Sequence, residues 1–491
     1  MASLPLRPAA DVASSAAPAL PGAAITPAVA VASPAATPVL PQRTRLILTG
    51  AVTPTLLKLA APNILVMMVQ AVMSAVDAFY LGWLGADALA GVALVYPLIM
   101  LMTTMSGGGM GGGISSAVAR ALGRHDPAQA DALATHALVI TAGFAAAFTV
   151  GPLLGGRALY TAMGGEGGAL DAALQYSNVI FAGAALVWLI NSLASILRGS
   201  GQMMVPSAVL IIGEVVHIAL APCLIFGLGP FPALGVRGAA IALVSTLALR
   251  ALALVLYMAS GRSTVTPRFA GVRLTRVSFW EILRVGIPGV VNTVLTNGNV
   301  MLLTGLVGTF GTASLAGYGL GARLEYLQIP LVFGLGAALV TMVGMNVGAG
   351  QVERAKRIAW VGAGLAAGLT GGIGLIAALA PWLWLGLFTT DPAVLDTGSL
   401  YLRIVGPTYA FFGLGLSLYF SSQGAGRLLW PLAGGTVRLL IAVGGGWLSI
   451  HLLGDGLVGI FVSIALAIGV YGGIVGLAVR NARWGHHPRK A

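Results

Sequence analysis

The sequence predicts an all-α membrane protein with twelve transmembrane helices in two homologous six-helix lobes around a central cavity. The composition, the spacing of the apolar runs and an internal repeat support this prediction. Hydrophobic residues make up 57% of the 491 positions and charged residues only 8%, whereas a soluble domain has about 25% charged residues. The 70 glycines agree with a membrane protein, because small residues let transmembrane helices approach one another closely.

Apolar runs of the length needed to cross a bilayer, about 20 residues, follow one another from Thr53 onward. Glycine, proline and charged residues separate them. The runs predict helices at about 56–80, 88–118, 130–155, 173–197, 206–227, 235–260, 281–307, 313–346, 356–380, 398–423, 430–452 and 456–479. The glycines of the long second and eighth runs predict a bend in each, and we interpret the glycines at 107–113 as close packing or a hinge, not as a phosphate-binding loop.

The sequence predicts that the chain divides into five segments. Residues 1–52 are rich in Ala, Pro, Ser and Thr, which predicts a disordered cytoplasmic extension without the features of a signal peptide. Residues 53–260 form the N-terminal lobe, 261–280 a cytoplasmic linker, 281–480 the C-terminal lobe and 481–491 a basic cytoplasmic tail.

Basic residues mark one side of the membrane. Arg120, Arg198, Arg354 and Arg427 follow even-numbered predicted helices, whereas the opposite loops are mostly acidic. The positive-inside rule therefore predicts that both termini are cytoplasmic, in a multi-pass protein of the cytoplasmic (inner) membrane. The net charge of +12 is explained by these loops, so we expect no nucleic-acid partner. The single cysteine, Cys223, excludes an intrachain disulfide and a cysteine-based metal cluster.

The two lobes repeat one another in sequence. Segments 62–91 and 288–317 match at a constant offset of 226 (288 − 62), as in Pro62/Pro288 and Gly82/Gly308. Tyr176/Tyr401 and Pro206/Pro431 match at an offset of 225 (401 − 176). Two parallel bundles with a cavity between them are typical of alternating-access transporters.

Asp77 breaks this symmetry. It is a single carboxylate in the middle of the first apolar run, and its counterpart in the repeat is Leu303. An ionisable residue in a spanning helix usually faces a cavity or a partner. We therefore interpret Asp77 as an ion-coupling residue, with a polar group that only bridges helices as the alternative.

The segments PNILVMMVQAVMSAVDAFYLGWLGADALAGVALVYP (62–97), SILRGSGQMMVP (195–206) and SSQGAGRLLWP (421–431) resemble the multidrug and toxic compound extrusion (MATE) transporters. The resemblance covers about residues 55 to 478, with motifs in both lobes in the family's order. It implies an exporter of organic, often cationic, compounds that is driven by inward H⁺ or Na⁺ and is not an enzyme.

The resemblance implies only part of the family's set of coupling residues in this chain. The helix-one acid matches Asp77. One branch adds an Asn and an Asp on helix five, where this chain has His217 and Ala221; another uses a helix-seven Glu and a helix-ten Asp, where it has Thr296 and Phe412. Because a desolvated Na⁺ prefers several hard oxygen ligands, this pattern favours H⁺ over Na⁺ as the coupling ion. We expect no cofactor and no bound metal.

Removing the loop charges leaves four ionisable residues inside the predicted helices: Asp77, Glu214, His217 and Glu325. Glu214 and His217 are three positions apart and therefore on one helix face, so we assign both to ion coupling. The pair would be either a proton relay or a hydrogen bond that fixes the helix.

Glu325, Gln70, Met73 and Tyr326 are the candidates for substrate binding or coupling. For Glu325, a salt bridge to another helix is the alternative. Gln70 and Met73 precede Asp77 on the same predicted helix, and Tyr326 offers an aromatic surface to an organic substrate.

Two other functions remain open. A flippase for a lipid-linked or large amphipathic substrate would share the architecture, and a cleft rich in arginine would indicate it. An intramembrane enzyme is remote, because the sequence has no HExxH motif, paired-aspartate motif or metal-ligand spacing. We expect a monomer in the lipid bilayer that binds a small organic substrate.

Overall fold

The computed structural model describes residues 42–269, 271–454 and 456–484, and these residues form helices and connecting loops without a strand. The N-terminal lobe and the segment before it contain α1 (Gln42–Thr49), α2 (Val52–Gly82), α3 (Ala86–Thr104), a π-turn (Met105–Met110), α4 (Gly111–Gly123), α5 (Pro127–Ala162), α6 (Gly167–Ala182), α7 (Ala184–Gly199), α8 (Met204–Phe226) and α9 (Gly235–Ala259).

The C-terminal lobe is built in the same order. It contains α10 (Arg276–Gly308), α11 (Thr312–Gly348), α12 (Val352–Leu379), α13 (Trp382–Leu385), α14 (Pro392–Val405), a 3₁₀ turn (Gly406–Thr408), α15 (Tyr409–Ala425), α16 (Leu429–Leu439), a π-turn (Leu440–Gly444), α17 (Gly445–Leu448), a second π-turn (Ser449–Leu453) and α18 (Gly456–Arg480). The helix α10 begins inside the stretch that the sequence assigns to the linker.

Twelve membrane spans follow from these elements. In the part of the chain that the structure describes, eleven helical segments are long and apolar enough to cross a membrane, and α6 with α7, bent by 47°, supplies a twelfth. Each span coincides with one predicted apolar run. The predicted fold class, twelve transmembrane helices in two six-helix lobes, is therefore confirmed.

Three glycines of the second run, at 107–109, lie in a π-turn. The MSGGGM segment, Met105–Met110, separates α3 from α4, and the backbone of Gly109 lies against Gly289 and Val290 of α10. A side chain at Gly109 would collide with that backbone, so the glycine is needed for close packing between the lobes. In the eighth run, α11 is one continuous helix that contains Pro330, and the bend expected there stays a prediction.

The predicted disordered extension needs a correction at its end. Residues 42–49 form α1, whose Ile47 and Leu48 are buried. Arg354 of α12 donates to the carbonyl oxygens of Ile47 at 3.4 Å and Gly50 at 2.5 Å. An isolated helix of this length is marginal in water, so its stability comes from tertiary contacts that the local sequence does not reveal. Residues 1–41 lie outside the described part of the chain.

The lobes are joined at one end of the bundle. We call this the basic end, because Arg124, Arg262, Arg354 and Arg427 lie there, and we call the opposite end the acidic end. Among the described residues, the hydrogen bonds between the lobes lie in the basic half, including those from Ser116 and Arg120 to the carbonyl of Gly424 at 3.0 and 3.2 Å. Gly123 and Gly348 lie against the carbonyl groups of Met345 and Arg120, so the basic end is tightly closed.

Candidate functional site

Asp77 and His217 meet inside the N-terminal lobe. The Oδ1 atom of Asp77 on α2 lies 2.9 Å from Nε2 of His217 on α8. When Asp77 is ionised, its carboxylate only accepts hydrogen bonds, and Nε2–H of the imidazole is then the donor. The side chain of Asp77 is 40% exposed and that of His217 only 4%. The carboxylate is therefore partly exposed, while its partner is buried.

A small cavity adjoins this pair. Its volume is about 10 Å³, which is room for about one water molecule. Tyr176 of α6 and Ala221 of α8 line it together with Asp77 and His217. The two helix-five positions, His217 and Ala221, are thus both at the carboxylate, as the alignment of their motif implies. Tyr176 is a residue that sequence reasoning missed, although its match with Tyr401 in the repeat could have drawn attention to it.

The C-terminal lobe has no comparable pair at the equivalent place. The repeat relates Asp77 to Leu303 and His217 to Ala442, the latter at the offset of 225 (442 − 217). Leu303 and Ala442 are both buried in one apolar cluster of that lobe. The titratable pair is therefore a property of the N-terminal lobe.

Glu214 is not part of the Asp77 site. Although it shares a helix face with His217, its Oε1 accepts a hydrogen bond from Nη1 of Arg250 on α9 at 3.0 Å. Both side chains are buried, and the aliphatic part of Arg250 lies against Gly213. The structure therefore separates the predicted Glu214–His217 group into two pairs with different partners.

Glu325 forms the salt bridge that the sequence left as an alternative. Arg438 of α16 donates from Nη2 to Oε1 of Glu325 at 3.4 Å. The hydroxyl of Tyr401 donates to Oε2 at 3.4 Å. Tyr401 is the repeat counterpart of Tyr176, so a tyrosine adjoins a carboxylate in each lobe.

Arg250 and Arg438 are ionisable residues inside the helices that the set of four from the sequence leaves out. Both lie within membrane-spanning segments and each is paired with a glutamate. Neither arginine is among the residues predicted from the sequence, although each interrupts a predicted apolar run. A basic residue in the middle of such a run, with an acid elsewhere in a run of the same lobe, is the pattern that could have identified them.

The remaining candidates lie apart from one another. Gln70 is half-buried and Met73 is buried on α2, and both precede Asp77 on its helix. Tyr326 lies on α11 in the other lobe with its side chain 41% exposed. The structure therefore places two of the substrate candidates near Asp77 along one helix and the third in the opposite lobe.

A second, larger cavity lies within the C-terminal lobe. It has a volume of about 110 Å³, and its polar lining comes from Asn292, Thr296, Asn299, Arg438 and Tyr471. Phe412 also lines it. Thr296 and Phe412 occupy the positions at which the other family branch has acids, and both face this cavity. No carboxylate is among the described residues that line it.

Comparisons with known proteins agree with this architecture. A model of the MatE family matches residues 62–223 and 288–448. The "FAD transporter" of Shewanella oneidensis is 26% identical over 73% of this chain and 79% of its own length. The "Probable multidrug resistance protein YoeA" of Bacillus subtilis is 26% identical over 78% of this chain and 83% of its own.

Solved structures share the fold. The crystal structure of MATE in complex with MaD3S superposes with a TM-score of 0.82 and 25% identity, over 90% of this chain and 98% of that one. A MOP superfamily transporter from Pyrococcus furiosus gives a TM-score of 0.82 at 24% identity, over 90% and 97% of the two chains. The family match covers both lobes, and the chain therefore belongs to the MATE family of multi-pass multidrug efflux transporters, which are not enzymes.

Proposed function

We propose that this transporter exports organic compounds, cationic or amphipathic, in exchange for protons by alternating access. The observation that carries the proposal is the 2.9 Å hydrogen bond between Asp77 and His217. It joins two groups that can each hold a proton, one of which, Asp77, is partly exposed, and it links two helices of one lobe.

The pair offers a direct way for a proton to change the contact between α2 and α8. With Asp77 ionised, the carboxylate accepts from His217. When Asp77 takes up a proton, it loses its negative charge. The hydrogen bond to the imidazole then either breaks or reverses, with the carboxyl group as the donor, so the helices can repack. Exchange then requires that the proton and the substrate favour different states or compete for one site.

The chemistry of the lining supports H⁺ over Na⁺ as the coupling ion. Besides Asp77, the cavity is lined by the imidazole of His217, the phenol of Tyr176 and apolar side chains such as Ala221 and Leu81. A desolvated Na⁺ prefers several hard oxygen ligands, and this lining offers few. A proton needs only the carboxylate and its partner.

The charge distribution supports an orientation. If the basic end is cytoplasmic, as the positive-inside rule predicts, both termini are cytoplasmic and the closed basic end corresponds to an outward-facing state of a monomer in the inner membrane. Gln70 and Met73 on α2 and Tyr326 on α11 would then contact a substrate between the lobes.

A second candidate function is export of organic anions. The relative from Shewanella oneidensis is named an FAD transporter, and Arg438 lines the cavity of the C-terminal lobe. The flippase alternative is less favoured, because Arg250 and Arg438 are each paired with a glutamate and do not form an arginine-rich cleft.

The proposal is tested with the full-length protein in proteoliposomes. We expect a pH gradient, imposed at equal Na⁺ concentrations, to drive movement of a cationic dye such as ethidium. A Na⁺ gradient at equal pH should not drive it. Dye movement under the Na⁺ gradient alone would contradict proton coupling.

A further inference from the structure

The cavity of the C-terminal lobe has a cationic side chain where an apolar lobe interior would be expected. Arg438 of α16 lines it, together with Asn292, Thr296 and Asn299 of α10. Among the described residues that line the cavity, none is a carboxylate. A group that enters this space therefore meets a guanidinium and amides.

The guanidinium of Arg438 is held in place but has spare hydrogen-bonding capacity. Its carbon lies 5.7 Å from the ring centre of Phe412 and 5.8 Å from that of Tyr471, which are distances typical of cation–π contacts. Within the described part of the chain its one hydrogen bond goes from Nη2 to Glu325 at 3.4 Å. A guanidinium has five N–H donors, so most of them remain available to another acceptor.

Asn299 gives a second indication of a ligand, but of a different part of it. It is buried, it lines the cavity, and its Oδ1 atom has no hydrogen-bond partner among the described residues. Buried polar atoms usually have partners. Because an amide oxygen only accepts hydrogen bonds, the partner it lacks is a donor, so the anionic group itself belongs at Arg438 and not at Asn299 Oδ1. Thr296, one turn away on α10, is exposed, so the polar lining extends from the surface to the interior.

The size of the cavity limits what it can bind. Pockets for drug-sized molecules measure about 300–1,000 Å³, whereas this one measures about 110 Å³. It therefore fits one functional group of a larger compound. Arginine binds carboxylates and phosphates through two parallel hydrogen bonds.

We propose that this cavity binds an anionic group, a carboxylate or a phosphate, of a transported compound, with Arg438 as the anchoring cation. The identity of that compound as cargo rests on the proposed export function, but the binding itself does not. The carboxylate of Glu325 already neutralises part of the charge of Arg438, so it competes with the ligand. Removing the charge of Glu325 should therefore strengthen binding, and removing that of Arg438 should abolish it.

The test is a binding measurement on the purified full-length protein, without any gradient. Trifluoroacetate and difluoromethylphosphonate serve as carboxylate and phosphonate probes, and trifluoroacetamide is the neutral match; binding is followed by ¹⁹F NMR line broadening in competition with unlabelled anion. We expect at least one anionic probe to bind and the amide not to bind. Binding of only one anion identifies which of the two groups the cavity accepts.

Variants assign the binding to the cavity. Glu325→Gln should bind the anion several-fold more tightly. The double variant Arg438→Gln/Glu325→Gln, which leaves no unpaired buried charge, should bind at least about tenfold more weakly than Glu325→Gln alone, because it loses an ionic hydrogen bond. Arg403→Gln, which removes an exposed arginine of the same lobe, should bind as the wild type does.

Two results would overturn the proposal: equal broadening of the anions and the amide, or unchanged anion binding in a folded double variant. Failure of the export function has a different signature, since ethidium movement would be lost or driven by Na⁺ while these binding results stood.

Discussion

The carboxylate of Asp77 lies 2.9 Å from the imidazole of His217, while their repeat counterparts Leu303 and Ala442 are buried in one apolar cluster. The two lobes share their helix order, yet only the N-terminal one carries a titratable pair at this place. Because an apolar cluster cannot exchange a proton, we expect coupling to reside in the N-terminal lobe. The C-terminal lobe carries the Glu325–Arg438 pair elsewhere, between α11 and α16.

The first prediction concerns His217. A glutamine can still donate a hydrogen bond to Asp77, but it cannot take up a proton, whereas an imidazole can. We expect His217→Gln to retain export with a dependence on pH that differs from that of the wild type. His217→Ala should lose about tenfold or more of the rate, because it removes a hydrogen bond to a charged group. Export rates in proteoliposomes at a series of pH values provide the measurement, and indistinguishable pH profiles for wild type and His217→Gln would count against the role of the imidazole.

The second prediction concerns the buried pair of Glu214 and Arg250. Removing one partner leaves a buried charge uncompensated, which typically costs about 3–5 kcal/mol, whereas replacing both by apolar residues of similar size is often neutral. We expect Glu214→Leu and Arg250→Met each to lower the apparent unfolding temperature of the purified protein strongly. The double variant should recover it.

The double variant also decides whether Glu214 takes part in coupling. The structure pairs Glu214 with Arg250, so we expect the stable double variant to keep proton-driven export. A stable double variant without export would show that Glu214 acts in coupling as well as in packing.

The third prediction concerns closure of the basic end. Glu281 of α10 lies 3.2 Å from Arg124 and 4.0 Å from Arg120 of the other lobe. Removing its charge should favour opening of that end. In a Cys223→Ser background, a cysteine in place of the buried Met345 should then react with a maleimide roughly fivefold faster in Glu281→Gln, since the two pairs that this change removes contribute about 1 kcal/mol together.

A matched control is available on the same end. Glu353 is 90% exposed and its nearest cation, Lys356, lies 4.0 Å away on the same helix. Glu353→Gln should leave the labelling rate unchanged. Equal rates for Glu281→Gln and Glu353→Gln would show that the interlobe pairs do not hold the basic end closed.

The helices were predictable because each span is a continuous apolar run, and a bilayer leaves few other structures for such a run. Asp77 was equally visible as a lone carboxylate within one. The helix α1 was not predictable in this way. It has only eight residues, and its stability depends on contacts with Arg354 and Gly201.

The sequence could not show which ionisable residues pair with one another inside the helices. Spacing placed Glu214 and His217 on one helix face, but their partners, Arg250 and Asp77, lie on different neighbouring helices. Which acid meets which base depends on how the helices pack, and that information is not in the local sequence. The pairing of Arg438 with Glu325, and with it the cationic cavity of the C-terminal lobe, was hidden for the same reason.

The central claim, that the carboxylate of Asp77 couples export to protons, is tested most directly by Asp77→Asn in proteoliposomes under an imposed pH gradient. Asparagine keeps the size of the side chain and can hydrogen-bond His217, but it cannot take up a proton at neutral pH. The matched control is Asp396→Asn, an exposed aspartate of the other lobe. We predict that Asp77→Asn incorporates into the vesicles normally and shows no gradient-driven ethidium transport, while Asp396→Asn transports at the wild-type rate; wild-type transport by Asp77→Asn would contradict the claim.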